Sequence, residues 1–159
     1  MSNDARGFIT IHNTNIVSEI TNVCEKVFDI GIEEISINEL YNFPQKFLPT
    51  PCKDRNYFTF ALGDSPQEVG VSYLIDYINY APEADIGFPT NGKERLGILL
   101  DVISEIFKIS QTQKMVIALT DCNQIEKIKK INFIEMRDVI HADFEEYQAP
   151  PDTLYEIIA

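Results

Sequence analysis

The sequence has little of what most catalytic and metal sites are built from. It contains no tryptophan, two histidines and three cysteines in 159 residues. His12 and His141 lie far apart and share no motif with a cysteine, so we predict neither a metal site nor a Cys–His pair. The G-x-S-x-G, H-E-x-x-H, P-loop and EF-hand motifs are also absent. These absences argue against the enzyme and calcium-binding classes that such motifs mark.

Closely spaced cysteines and long apolar runs are missing as well. The number of cysteines is odd, and they lie far apart in the sequence, at Cys24, Cys52 and Cys122. This pattern is typical of reduced thiols rather than of a disulfide framework. No run reaches the roughly 18 apolar residues of a membrane-spanning helix. The first residues, MSNDARGF, lack the basic and apolar regions of a secretory signal. We therefore predict a cytoplasmic protein that does not cross a membrane.

Positive charge is scarce. The chain has 13 Lys and Arg residues against 25 Asp and Glu residues, and its formal net charge is −12. Such a field repels the phosphates of nucleic acids and attracts basic proteins, whose association it accelerates at low salt. Excess acidic charge also serves solubility alone, so charge by itself leaves both interpretations open.

Length and local patterns predict a single domain over residues 1–159. Helices are predicted where apolar residues recur every three or four positions, at 14–29, around 96–107 and at 121–131. Strands are predicted where β-branched and aromatic residues cluster, at 7–11, 57–62, 69–80, 83–88, 114–119, 136–144 and 153–158. The segment 33–48 stays ambiguous. We expect an α/β (α+β) fold, in which a mixed, mostly antiparallel sheet carries helices on both faces.

This order of elements resembles that of the GNAT acetyltransferases. The segment 83–88 (EADIGF) resembles a strand of the ribosomal-protein alanine acetyltransferase branch, and 116–119 (VIAL) resembles the strand that follows. The segment 91–97 (NGKERLG) stands where that branch has its acyl-CoA loop, and 121–133 resembles its closing helix. The resemblance covers residues 56–158 and implies a GNAT-like fold with acetyl-CoA and an amine acceptor as substrates.

The chain departs from this family at the positions that carry catalysis. The family loop has the form Q/R-x-x-G-x-G/A, because phosphate oxygens approach its backbone closely. If Gly97 takes the last small position, Arg95 occupies the first one. If Gly97 takes the first, Glu94 occupies the Gln/Arg position and Leu99 the last small one. The tyrosine that serves the family as general acid is replaced near Ile128. An active enzyme would then have to use a degenerate cofactor loop, formed by Asn91, Gly92, Lys93, Arg95 and Gly97.

A general base is the other requirement of an acetyltransferase. Glu83 and Asp85 lie on the strand where the resemblance implies a base, but solvated charges at a sheet edge explain them equally well. The catalytic interpretation therefore depends on two weakened parts of the family's apparatus. We keep N-acetyl transfer from acetyl-CoA as the alternative function.

The favoured prediction is a non-catalytic acidic binding protein without a cofactor. Small, acidic, single-domain chains without catalytic motifs resemble bacterial immunity proteins, which block the active sites of basic, nuclease-type toxins. Carboxylates would then mimic phosphates, although a solvated charged surface remains the simpler explanation of any single residue. The predicted partner-binding residues cluster near the C-terminus and are Glu135, Asp138, Asp143, Glu145, Glu146, Asp152 and Glu156. A second acidic set consists of Glu19, Glu25, Asp29, Glu33, Glu34 and Glu39.

Overall fold

The computed structural model describes residues 3–50, 56–67, 73–76, 89, 91–121 and 123–159. Its strands are β1 (Asn3–Ile11), β2 (Gly31–Glu34), β3 (Asn56–Gly63), β4 (Lys114–Asp121), β5 (Lys127–Asn132) and β6 (Thr153–Ile158). Its α-helices are α1 (Asn15–Asn22), α2 (Gly92–Ser110) and α3 (Met136–Tyr147). A π-helical turn (Val23–Val27) extends α1, and 3-10 turns lie at Ile37–Leu40, Gln45–Phe47, Tyr73–Ile75 and Phe133–Glu135.

The strands form one sheet in the order β2-β3-β1-β4-β6-β5. All neighbours pair antiparallel except β5 and β6, which are parallel, so the predicted mixed, mostly antiparallel sheet is confirmed. Gly7 lies in the middle of β1, where a Cβ atom would collide with the backbone of Val116 and Ile117 on β4. Glycine therefore permits the close approach of the two central strands.

The chain order and the sheet order together define two units. From β1 to β4 the strands and α-helices of the described residues run β-α-β-β-α-β, with β1 paired between β3 and β4, which is a split βαβ arrangement. The unit β5-α3-β6 follows, and its strand β6 pairs with β4. The second unit thereby extends the sheet of the first.

Apolar side chains cover both faces of this sheet. All three α-helices pack on one face, where Ile20, Leu99 and Ile140 join Ile9 and Ile117 in the larger core cluster. The opposite face carries a smaller cluster beneath the 3-10 turns Ile37–Leu40 and Gln45–Phe47, formed by Phe8, Leu40, Phe43, Val116, Ala118 and Leu154. Helical segments thus lie on both faces, the described α-helices on one and these two 3-10 turns on the other.

Two predicted elements near the C-terminus are wrong. Residues 127–132 form strand β5 rather than a helix, because they pair in parallel with β6, with Ile131 buried and Ile128 exposed at the edge. Residues 136–147 form helix α3 rather than a strand, because Met136, Ile140 and Phe144 recur every fourth position and bury one helix face.

In the middle of the chain, the structure describes only part of the predicted strands. Tyr73–Ile75 form a 3-10 turn, although we predicted a strand there. The remainder of the predicted strand 69–80 and all of 83–88, with the candidate bases Glu83 and Asp85, lie outside the described residues. The predictions for β3, β4, β6 and the core of α2 are confirmed within a few residues at their ends.

Candidate functional site

The first turn of α2 is the segment for which the resemblance implies a cofactor loop. Asn91 caps this helix, since its Oδ1 accepts hydrogen bonds from the backbone N–H groups of Lys93 (2.8 Å) and Glu94 (3.3 Å). The N–H of Arg95 donates to the carbonyl of Asn91 at 3.1 Å. A pyrophosphate would need these same N–H groups, which already have partners within the protein.

Arg95 has a structural role that the sequence did not indicate. Its side chain is fully buried, and its guanidinium donates from Nη1 to the carbonyl of Pro89 at 3.0 Å and from Nη2 to that of Asp76. The structure therefore corrects its interpretation as a phosphate ligand. A Cβ atom at Gly97 would meet no described protein atom within 4 Å, and the carbonyl of Gly97 accepts a 3.5 Å contact from Arg137.

Asp143 is one of the seven carboxylates predicted to bind a partner, and the structure corrects this. It is 5% exposed, and its Oδ1 lies 2.6 Å from Lys129 Nζ. Its Oδ2 accepts a 2.8 Å hydrogen bond from the hydroxyl of Tyr155, whose pKa is raised by burial and by this carboxylate. The group therefore ties α3 to β5 and β6.

Two further members of the predicted set also have partners within the protein. The carboxylate of Asp152 accepts the N–H of Asp121 at 2.7 Å, in a turn where Asp152 has a φ of 49°. Partial burial raises the pKa of this carboxyl. Glu156 on β6 lies 4.0 Å from Lys130 Nζ. Both residues stabilise the C-terminal unit.

The other four predicted carboxylates are exposed and lie on α3 or in the turn that leads into it. Glu135 ends the 3-10 turn before α3, while Asp138, Glu145 and Glu146 lie on the helix itself. Spacings of three and four residues around Ala142 bring Asp138, Glu145 and Glu146 to one side of the helix. We call Glu135, Asp138, Glu145 and Glu146 the α3 acidic face.

An open groove of about 500 Å³ adjoins the N-terminal end of this face. It lies between Phe28, the middle of α2 and the segment that leads into α3. Its apolar wall contains Phe28, Phe133 and Ile134, and its polar rim contains Asp101, Glu105, Lys108, Arg137 and Asp138. Asp138 therefore belongs both to the groove and to the α3 acidic face.

The apolar wall of the groove includes one aliphatic side chain that is almost fully exposed. Ile134 is 96% exposed. Phe133 is held by a parallel stack on Phe107 at 4.4 Å, and the N–H of Asn132 donates to Glu135 Oε1 at 3.1 Å in a capping box. The turn therefore holds the side chain of Ile134 in solvent beside Phe28 and Phe133, which line the same groove.

Some of the charged side chains at the rim of the groove form ion pairs, and others do not. Arg137 and Asp101 form an ion pair between α3 and α2. Glu105, Lys108 and Asp138 form no ion pair within the described part of the chain. Two carboxylates on opposite sides of the groove thus remain available to a cationic ligand.

Cys24 is a buried thiol and His141 a partly buried imidazole among the described residues. Burial, with a smaller contribution from Glu25, raises the pKa of Cys24 to about 12, so its thiol is not a nucleophile at neutral pH. His141 Nδ1 is buried and makes no hydrogen bond within the described residues. Burial and the charges of Arg137 and Lys93 lower the pKa of His141. Cys52 and Cys122 lie outside the described residues.

Sequence reasoning missed the groove. We predicted a helix at 121–131 and a strand at 136–144, whereas the Asn132-x-x-Glu135 spacing marks the beginning of a helical segment. That spacing places Phe133 and Ile134 at a helix entry.

The described residues contain no group of three or more side chains suited to hold a metal ion. None of the helices they form is both long and apolar enough to span a membrane. Comparison of the chain with protein-family models, curated proteins and solved structures returned no match. The candidate site consequently rests on geometry and charge, and it consists of the α3 acidic face and the adjoining groove.

Proposed function

We propose that this protein is a non-catalytic binding protein that recognises a basic protein through the α3 acidic face. The observation that carries the proposal is the position of two exposed carboxylates, Glu145 and Glu146, in the last turn of α3. The helix macrodipole makes negative charge unfavourable there by about 0.3–1 kcal/mol per residue. That turn also contains no basic residue to compensate. Departures from such local rules are expected at functional or strained sites, and no strain is associated with these exposed side chains.

The chemistry of the surface favours a partner with a cationic cleft. Nucleases line their clefts with Lys and Arg to hold phosphates, and a row of carboxylates can occupy the same positions. The net charge of −12 steers such a partner into contact before any short-range interaction forms. The proposed class is therefore a bacterial immunity protein that acts in the cytoplasm and blocks a basic, nuclease-type toxin.

The contacts at the beginning of α2 also favour binding over acetyl transfer. Asn91 satisfies the helix N–H groups, and Arg95 is directed toward backbone carbonyls. A cofactor would have to displace both arrangements before it reached the backbone. We therefore treat N-acetyltransferase activity as the alternative function, which the experiments below also test.

The first experiment measures inhibition of a panel of purified basic bacterial nuclease domains by the full chain. We expect at least one nuclease to be inhibited, less strongly at about 300 mM salt than at about 50 mM, because salt screens the attraction. The variant Glu145→Lys/Glu146→Lys should lose this inhibition. The matched control, Glu33→Lys/Glu34→Lys, makes the same charge change on β2 at the opposite edge of the sheet and should retain most of it.

Two outcomes would contradict the proposal. One is the absence of inhibition across the panel, and the other is equal loss in both double variants, since that would reduce the effect to net charge. A separate thermal-shift measurement addresses the alternative. A rise in melting temperature with about 1 mM acetyl-CoA would place the acetyltransferase function first, because a ligand of the native state stabilises it.

A further inference from the structure

We infer that the groove beside α3 receives an apolar side chain of the partner, flanked in the partner by Lys or Arg. This inference rests on the proposed function and adds to it the site of the apolar anchor. The groove has a volume of about 500 Å³, which lies within the range of sites that enclose small ligands. It thus has room for one aliphatic or aromatic side chain together with its neighbouring backbone.

The apolar part of the groove is preformed. Phe133 is stacked on Phe107, and the capping box before α3 fixes the turn that carries Ile134. On the other side, Phe28 follows the π-helical turn Val23–Val27, a rare element that is frequent at functional sites. A partner side chain would cover Ile134, now 96% exposed, without reordering these elements.

The charged side chains that line the groove determine which kind of partner it would bind. Glu105 on α2 and Asp138 on α3 both line the groove, and neither is in an ion pair within the described residues. Arg137 is neutralised by Asp101, so Lys108 is the remaining cation of the lining. The remaining charges are two carboxylates and one cation, and an apolar centre with this small acidic excess matches an apolar anchor next to a cationic residue.

The same charges disfavour the other occupants. A second copy of the chain would bring another molecule of net charge −12 against an acidic rim, and an anionic lipid surface would be repelled as well. The groove is also continuous with the α3 acidic face through Asp138. One basic protein could therefore cover both surfaces at once.

The experiment selects ligands for the immobilised full chain from a displayed random-peptide library. We expect enriched peptides to share an apolar residue next to Lys or Arg. The strongest peptide is then labelled, and its dissociation constant is measured by fluorescence anisotropy. Ile134→Ser should weaken binding about tenfold or more, and Glu105→Gln/Asp138→Asn should weaken it to a similar degree. Because these side chains are largely outside the core, the variants should stay folded, which circular dichroism can verify.

The matched control is Tyr41→Ser, which removes another exposed apolar side chain, one that is 71% exposed beside the 3-10 turn on the opposite face of the sheet. It should leave peptide binding unchanged. The inference is overturned if no sequence is enriched, if the enriched peptides lack the basic–apolar pairing, or if Ile134→Ser binds as well as the original chain.

The two proposals fail in distinguishable ways. If a nuclease is inhibited, and Ile134→Ser changes neither that inhibition nor peptide binding, the groove inference is wrong and the proposed function stands. If no nuclease is inhibited while groove-dependent peptides are enriched, the toxin class is wrong and the groove remains a binding site.

Discussion

At the scale of single residues, the described carboxylates divide into those that hold the fold together and those that face solvent. Asp143 is buried between Lys129 and Tyr155, whereas Glu145, two positions later, is exposed. The two residues belong to the same acidic stretch of sequence. Their different surroundings assign a structural role to the first and leave the second free for recognition.

The network around Asp143 yields the first prediction. Tyr155→Phe removes the hydroxyl that donates to Asp143, and we expect the free energy of unfolding to fall by about 1.5–3 kcal/mol, the usual contribution of a hydrogen bond to a charged group. Urea denaturation measures this change. Tyr147→Phe on the exposed side of α3 is the control, since it keeps the ring beneath Lys127. Equal stability of both variants would contradict a structural role for the network.

His141 leads to a prediction about pH. Its pKa in the folded protein is lowered from 6.5, chiefly by burial and next by Arg137 and Lys93. The unfolded chain therefore binds a proton at a higher pH than the native one, and stability is lost as the pH falls below about 6.5. We expect His141→Gln to remove part of this loss between about pH 7 and pH 5. The measurement is the difference in unfolding free energy between the two proteins at each pH, and a constant difference would contradict it.

At the scale of elements, α3 combines a buried stripe with an exposed acidic side. Met136, Ile140 and Phe144 pack toward the sheet, and Asp138, Glu145 and Glu146 face solvent. The exposed side contributes little to holding the helix in place. Its charges can therefore change without loss of the fold.

The third prediction separates stability from function in this helix. Glu145→Lys/Glu146→Lys should raise the free energy of unfolding by about 0.5–2 kcal/mol, because cations suit the C-terminal end of the macrodipole. Glu33→Lys/Glu34→Lys on β2 carries the same change of net charge without a helix end. Thermal and urea unfolding of both variants measure the effect. A larger gain from the β2 variant would show that net charge, rather than the helix dipole, determines stability.

At the scale of the whole molecule, the excess of carboxylates acts on folding as well as on association. A formal charge of −12 on 159 residues produces self-repulsion that opposes the compact state. Salt shortens the range of this repulsion from about 30 Å at 0.01 M to about 10 Å at 0.1 M. The same screening weakens the attraction of a basic partner, so stability and affinity should respond to salt in opposite directions.

The fourth prediction follows from this repulsion. We expect the melting temperature to rise by a few degrees between about 10 mM and 300 mM sodium chloride. A variant that combines the α3 and β2 double changes has a smaller net charge and should show a smaller rise. A melting temperature that is independent of salt in both proteins would contradict the importance of net charge for stability.

The sequence by itself determined the elements in which the spacing of apolar residues directly indicates which side chains are buried. The apolar run of β4 is buried on both faces, and the three-to-four spacing from Leu96 to Phe107 forms the buried side of α2. Cys24 is buried, as its place in the apolar stripe indicated. Local periodicity suffices in these cases because the burial of a residue follows from the pattern of its immediate neighbours.

Only the tertiary structure decided the C-terminal unit and the candidate site. The spacing of Ile128 and Ile131 is compatible with a helix, but pairing with β6 makes this segment a strand. Arg95 is directed inward by the carbonyl of nearby Pro89 and by that of Asp76, which lies 19 residues earlier in the chain, and the groove is assembled from three separate segments. Contacts between residues distant in sequence determine these features. They therefore cannot be predicted from a local sequence pattern.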